Sequence, residues 1–308
     1  MRIIFMGTPE FAIPSLDRLV QAGYEVVGVI TAPDRPAGRG RQLRPPPIKT
    51  YALEQGLTIL QPEKLRNPEF LEQVAELEAD LAVVVAFRML PKVLWSLPKK
   101  GTLNLHAALL PDYRGAAPIN WVLINGETKT GATTFLIDEK IDTGGMLLQT
   151  EFDIPYEWNA GDLHDHLMEK GADLVLETVQ QLEAGKVEAQ PQDHSQFTHP
   201  APKIFKEDCQ INWDQPAEKV YHFVRGLSPY PAAWTNLVGK MCKIFQVKVG
   251  EEVSGTFPGQ LHVQGDQLQV ATQDRWLSIH SLQLAGKKRM GVGDFLRGYH
   301  QPLEQFDL

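Results

Sequence analysis

The sequence predicts an α/β fold: a Rossmann-like, doubly wound parallel sheet followed by a small OB-like β-barrel. Three observations carry this reading. Continuous apolar runs recur at Ile3–Met6, Val26–Ile30, Leu81–Phe87 and Leu103–Leu105, the pattern of strands buried on both faces. Helix-period segments alternate with them, and alternation of β and α at these lengths builds parallel sheets. The last third instead holds short strand-like runs punctuated by glycine, the pattern of a small barrel or sandwich.

In chain order, Ile3–Met6 leads into a helix over Glu10–Ala22, and Val26–Ile30 is followed by a helix over Ile48–Gln55. Glu69–Glu78 carries Leu71, Val74 and Leu77 on one stripe. Leu81–Phe87, Leu103–Leu105, Thr133–Ile137 and Met146–Phe152 supply further strands, and Gly161–Ala184 reads as a long amphipathic helix. From Val187 the chain turns polar and irregular, with Pro191, Pro200 and Pro202. After a helix near Ala217–Arg225 come Ala232–Val238, Met241–Val249, Gln260–Val263, Gln267–Ala271 and Trp276–Leu282. The expected division is residues 1–188 as a first domain, 189–206 as a linker and 207–308 as the second. Residues 1–190 are expected to fold on their own.

Composition narrows the function classes. The net charge of −8 over 308 residues excludes a blanket nucleic-acid binder, so an anionic partner has to be met by local patches. Cys209 and Cys242 make no disulfide framework. The longest uninterrupted apolar run, Leu81–Phe87, is too short to span a bilayer, and the first residues lack a signal h-region. A cytoplasmic protein without a membrane partner is expected.

Three apparent motifs carry little. Gly7-Thr8-Pro9-Glu10-Phe11 stands where a dinucleotide fingerprint would, but lacks its glycine pattern. His164-Asp165-His166 places its histidines at i and i+2, which face apart on a helix, and no other spacing suggests a metal site. Asp142-Thr143-Gly144 occurs once, whereas an aspartic protease needs two such aspartates.

Asn104-Leu105-His106 is more telling. Side chains alternate along a strand, so Asn104 and His106 share one face at the carboxyl end of a buried strand, where open α/β sheets bind ligands. An amide beside an imidazole can stabilise an oxyanion and manage a proton, as acyl transfer requires. A carboxylate reaching His106 would orient the ring and raise its pKa. Asp142, in a loop with Gly144 and Gly145, is the candidate.

Asn104-x-His106-x-x-Leu109-Leu110-Pro111, then Arg114-Gly115-Ala116-Ala117-Pro118-Ile119, then Ile141-Asp142-Thr143-Gly144 resemble the folate-dependent formyltransferases. FMGTPEFA at the start, APDRPAGRGRQLRPPPIK from Ala32 to Lys49, and GLSPYPAAW are similar to the members of that family that act on methionyl-tRNA. The resemblance runs over essentially the whole chain. It implies a formyl group passed from 10-formyltetrahydrofolate, as co-substrate, to the α-amine of methionine on initiator tRNA. It puts Asn104, His106 and Asp142 on catalytic positions. Ala108, Leu109, Leu110 and Pro111 fall on a folate-binding loop, and Phe87 and Leu90 on a segment lining the pterin pocket. The Asp34–Arg44 loop falls on an insertion that enters the acceptor stem, and the C-terminal barrel on a tRNA-holding domain. No metal and no obligate protein partner are implied.

The chain departs from the family pattern at Ala108, where serine is usual, and at Phe87-Arg88-Met89-Leu90, where a Tyr-Gly-containing stretch is usual. With no hydroxyl at 108, the loop's backbone has to serve the folate. Charge agrees with an RNA partner: Arg35, Arg39, Arg41 and Arg44 stand against Asp34 alone, and arginine forks suit phosphates. Lys206, Lys287 and Lys288, with Lys240, Lys243, Lys248 and Arg289, could add phosphate contacts. A formyltransferase for a sugar nucleotide or purine intermediate is the alternative, and it would have no use for the arginine loop.

Overall fold

Apolar runs that cannot face water on either side set the first sheet. A computed structural model describes residues 1–37 and 42–307. Strands β1 (Arg2–Gly7), β2 (Glu25–Ile30), β3 (Arg35–Ala37), β4 (Gln42–Arg44), β5 (Ile59–Leu60), β6 (Leu81–Val85), β7 (Thr102–His106), β8 (Lys129–Leu136) and β9 (Met146–Asp153) alternate with helices. These are α1 (Ile13–Gln21), α2 (Pro47–Glu54), α3 (Pro68–Glu76), α4 (Lys92–Trp95), α5 (Pro118–Ile124) and α6 (Ala160–Glu183). A seven-stranded sheet runs β5-β2-β1-β6-β7-β8-β9. It is parallel through β7, and β8 then returns antiparallel beside it. The doubly wound α/β sheet is therefore present, with a mixed edge. β3 and β4 form a separate hairpin.

The expected Glu10–Ala22 helix divides in two, a 3₁₀ turn at Glu10–Ala12 and then α1. Pro14 explains the break: it lacks the N–H an interior position needs and is accommodated in the first turn of α1.

Beyond α7 (Ala217–Leu227) the chain forms a six-stranded sheet. Its strands β10 (Ala233–Leu237), β11 (Lys240–Glu252), β14 (Arg275–Leu284), β13 (Gln267–Ala271) and β12 (Leu261–Gln264) lie in that order, and β15 (Met290–Gly291) pairs with β14. All the pairings are antiparallel. A last helix, α8, covers Val292–Gly298. Trp213 and Phe306, both fully buried, stack at 5.2 Å in this core.

The chain divides into two compact units that do not follow chain order. One comprises residues 1–115, 130–152 and 164–200; the other comprises 116–129, 153–163 and 201–308. Among the described residues no helix is long and apolar enough to cross a membrane.

Candidate active site

Every residue of β7 except Asn104 is buried, and Asn104 is half-buried, so the strand end offers that amide to its surroundings. His106 is 5% exposed. Its Nε2 lies 2.9 Å from the Tyr113 carbonyl oxygen. A carbonyl only accepts, so Nε2 carries the proton and the other ring nitrogen is left for chemistry. That nitrogen, Nδ1, stands 3.7 Å from Oδ2 of Asp142. Two of the three residues expected at the site are thus brought together across 36 residues of chain. Asn104 is placed one pleat away on the same strand.

Asp142 is held by elements that the sequence did not single out for the purpose. The Gly115 amide donates to its Oδ2 at 2.9 Å. Gly115 sits at φ +131°, a conformation that favours glycine, which accounts for the glycine after Arg114. Asp142 itself adopts φ +54°, which aspartate tolerates better than most residues. Gln192, 6% exposed, donates from Nε2 to the carbonyls of Asp142 (2.9 Å) and Gly144 (2.8 Å) and accepts from Arg114 Nε at 3.1 Å. The polar, irregular stretch after Val187 therefore clamps the Asp142 loop here. The Tyr113 amide also donates to the His199 carbonyl at 2.8 Å. No periodicity marks Gln192, which sits in a polar run, so sequence reasoning had no signal for it.

The electrostatics correct one expectation. Asp142 does favour protonation of His106, but burial of the ring outweighs it, and Arg114 adds to the downward pull. The His106 pKa is therefore lowered, not raised, and the resting imidazole is neutral. The carboxylate is 3.7 Å away with no hydrogen bond between them, too little to offset the burial of the ring.

The 108–111 loop is tied from below. Thr133 lies directly opposite His106 in the β7–β8 pairing. Its hydroxyl donates to the Ala108 carbonyl at 2.8 Å and accepts the Leu110 amide at 3.0 Å. Gln149 Nε2 donates to the Leu110 carbonyl and to Thr133 Oγ1, each at 2.9 Å. Much of the backbone left to serve a folate is thus already engaged within the protein. Ala108, Leu110 and Pro111 are buried, and Leu109 is half-buried. Phe87 and Leu90 pack on the core cluster containing Ile4, Met6 and Leu94.

Of the basic residues, Arg35 and Arg44 are exposed and face each other across the β3–β4 hairpin. Arg39 and Arg41 lie outside the described residues. Lys206, Lys287 and Lys288 are exposed in the second unit. Among the described residues no group of three or more His, Cys, Asp or Glu could hold a metal ion.

Comparison with known proteins agrees with this architecture. The Formyl transferase family model matches residues 1–179, and the Formyl transferase, C-terminal domain model matches 203–300. A methionyl-tRNA formyltransferase of Bacteroides fragilis is 50% identical over 309 aligned residues, covering 97% of this chain and 95% of the relative. One from Parabacteroides distasonis is 51% identical, covering 99% and 97%. Among solved structures, an N-formyltransferase from Helicobacter canadensis in complex with folinic acid and dTDP-3-aminofucose aligns with a TM-score of 0.68 at 18% identity, covering 94% of this chain and 99% of that one. HypX from Aquifex aeolicus in complex with tetrahydrofolic acid aligns with a TM-score of 0.66 at 20% identity, covering 96% and 47%. At such identities the structures share the fold, while the curated relatives match at half identity from end to end. The chain belongs to the formyl transferase family, among its methionyl-tRNA formyltransferases.

Proposed function

We propose that the chain transfers the formyl group of 10-formyltetrahydrofolate to the α-amine of methionine esterified to initiator tRNA. The observation that carries the chemistry is the buried His106, with Nε2–H fixed on Tyr113 and Nδ1 facing Asp142 at 3.7 Å. Both groups across that gap are acceptors, so it suits a nitrogen that brings a proton. The uncharged amine attacks the formyl carbon, and the Asn104 amide donates to the oxyanion that develops. The amine's proton passes to Nδ1, and the resulting imidazolium is stabilised by the Asp142 carboxylate. Collapse of the intermediate breaks the bond to N10 of the folate, and the proton ends on that nitrogen, leaving tetrahydrofolate. The scheme needs no enzyme nucleophile and calls on no metal or protein partner.

Ala108, Leu109, Leu110 and Pro111, with Phe87 and Leu90, are assigned to the folate. That solved structures of this fold were obtained with tetrahydrofolic acid and folinic acid supports a folate donor. Arg35, Arg39, Arg41 and Arg44, with Lys206, Lys287 and Lys288, are assigned to tRNA phosphates. In this reading residues 1–188 carry the chemistry, 189–206 connect, 207–308 hold the tRNA, and the protein works in the cytoplasm. The test compares formyl incorporation from 10-formyltetrahydrofolate into methionyl-tRNA and into small amino sugars. Preference for the small amine would overturn the reading.

A further inference from the structure

A cavity of about 570 Å³ opens at the carboxyl ends of β1, β2 and β6, and Arg35, Arg44 and Arg88 line it. Its position is that of a ligand crevice: β2 and β6 flank β1 on opposite sides, so the winding direction reverses there. Registers place it level with the catalytic histidine. Gly7 pairs with Val85, and Val85 with Leu105, so Thr8, Ala86 and His106 follow one row across three neighbouring strands. Thr8 and Ala86 line the cavity. At about 4.8 Å per strand the row from Thr8 to His106 spans roughly 10 Å.

The charge on this cavity is not neutralised from within. Arg35 and Arg44 are direct cross-strand partners, an arrangement in which like charges repel. Asp34, the acid of that segment, is taken by Lys49 at 2.7 Å and Gln61 at 2.8 Å. Arg88 Nη1 donates to the Glu63 carbonyl at 2.9 Å and Nη2 to the Pro62 carbonyl, its guanidinium lies over the Phe87 ring at 5.6 Å, and its buried Nε has no acceptor. Among the described residues none of the three arginines makes an ion pair with a carboxylate. Burial and the nearby Arg35 both disfavour the Arg88 charge. Pro9, Pro33, Pro45 and Pro46 form much of the remaining wall and bring no N–H donors, so the guanidinium forks, beside the Thr8 hydroxyl, are the side-chain donors that meet an anion here.

We infer that Arg88, together with Arg35 and Arg44, forms a phosphate subsite for the 3′-terminal nucleotides of an RNA whose aminoacyl amine reaches His106. This rests on the proposed function and adds to it Arg88, which stands in the segment that departs from the family pattern. A span of one aminoacyl ester and ribose separates amine from phosphate, which the row from His106 to the cavity accommodates.

The test measures binding of the cytidine-cytidine-adenosine trinucleotide to the full chain, beside an analogue with neutral methylphosphonate linkages. Arg88→Gln is expected to weaken the charged trinucleotide about tenfold and to flatten its log–log salt slope by about 0.7, the value for one single-strand phosphate contact. Arg88→Lys is expected to restore part of the affinity, and unchanged binding of a folate analogue shows that the variants are folded. Equal trinucleotide affinity in wild type and Arg88→Gln, equal loss for the neutral analogue, or a loss confined to the folate analogue would each overturn the inference. A wild-type chain that shows the trinucleotide pattern but formylates only small amines refutes the proposed function and leaves this subsite standing. Formylation of methionyl-tRNA with a KM that Arg88→Gln does not change refutes the subsite alone.

Discussion

Oδ2 of Asp142 accepts the Gly115 amide at 2.9 Å while facing Nδ1 of His106 at 3.7 Å. One carboxylate oxygen is thus anchored to the backbone and aimed at the imidazole, whose far side is pinned on Tyr113. Neither partner can swing away without breaking a bond to the main chain, so the distance between them is set before substrate arrives. Preorganisation of this kind is what makes a short-lived charge inexpensive to form.

His106→Ala is expected to lower kcat by roughly 10²–10⁴, the range for loss of a positioned acid–base group. Asp142→Asn retains an oxygen for the Gly115 amide but not the charge that stabilises the imidazolium, and its kcat is expected to fall by at least about tenfold at unchanged thermal stability. Wild-type turnover in Asp142→Asn would reduce the carboxylate to a loop anchor.

Burial lowers the His106 pKa in the folded chain, so an NMR titration of its ring is expected to show a midpoint below the ordinary 6.5. Asp142→Asn removes the influence that favours protonation, and the midpoint moves lower still. The sign carries into stability. Between 6.5 and the folded midpoint the unfolded chain binds the extra proton, so stability falls as pH is lowered through that window. His106→Asn is expected to lose that part of the acid sensitivity, and a His106 midpoint above 6.5 would contradict the burial argument.

Gln192→Leu removes the donors to Asp142 and Gly144 and the acceptor of Arg114. Unpaired buried polar groups predict a loss of about 1–3 kcal/mol in urea unfolding. A merely structural role would stop there. Because Gln192 acts through Asp142, its loss is also expected to lower kcat more than it changes KM and to shift the His106 midpoint.

The sheet and its site-bearing strand were legible because buried parallel strands are written as unbroken apolar runs, and Leu103–Leu105 placed Asn104 and His106 correctly. What was not legible depends on tertiary neighbours. The sign of the His106 shift turns on how deeply the ring is buried, which a strand pattern does not report. Gln192 and Thr133 are polar residues whose value lies in the carbonyls they meet. α5 is seven residues long, too short to show a period, and packs against α7 in the second unit. A piece ending at residue 190 would carry α5 without the helix it packs on and would lack the Gln192 bonds to the Asp142 loop.

Thr133→Val keeps the shape and removes the hydroxyl that holds the 108–111 loop. The Leu110 amide is left without its acceptor, and folate KM is expected to rise several-fold while KM for methionyl-tRNA holds. Thr133→Ser restores the hydroxyl and is expected to recover most of the loss. A Thr133→Val protein with normal folate KM would remove the loop from the folate site.

The tRNA assignment of the second unit is separable from the chemistry by salt. Lys206, Lys287 and Lys288 are exposed, and among the described residues none of them makes an ion pair, so each is free to neutralise a phosphate. Each phosphate contact made to duplex RNA adds about 0.9 to the slope of log affinity against log salt by the double-strand DNA value. Replacing Lys287 and Lys288 together with alanine is expected to raise the Kd for tRNA and flatten that slope by nearly two. Folate-analogue affinity is expected to stay constant over the same salt range, because both lysines lie in the second unit and the folate-assigned residues in the first. A doubly substituted protein with the wild-type slope would show that these lysines meet no phosphate, and the assignment of RNA to that face would fall while the His106–Asp142 chemistry stood.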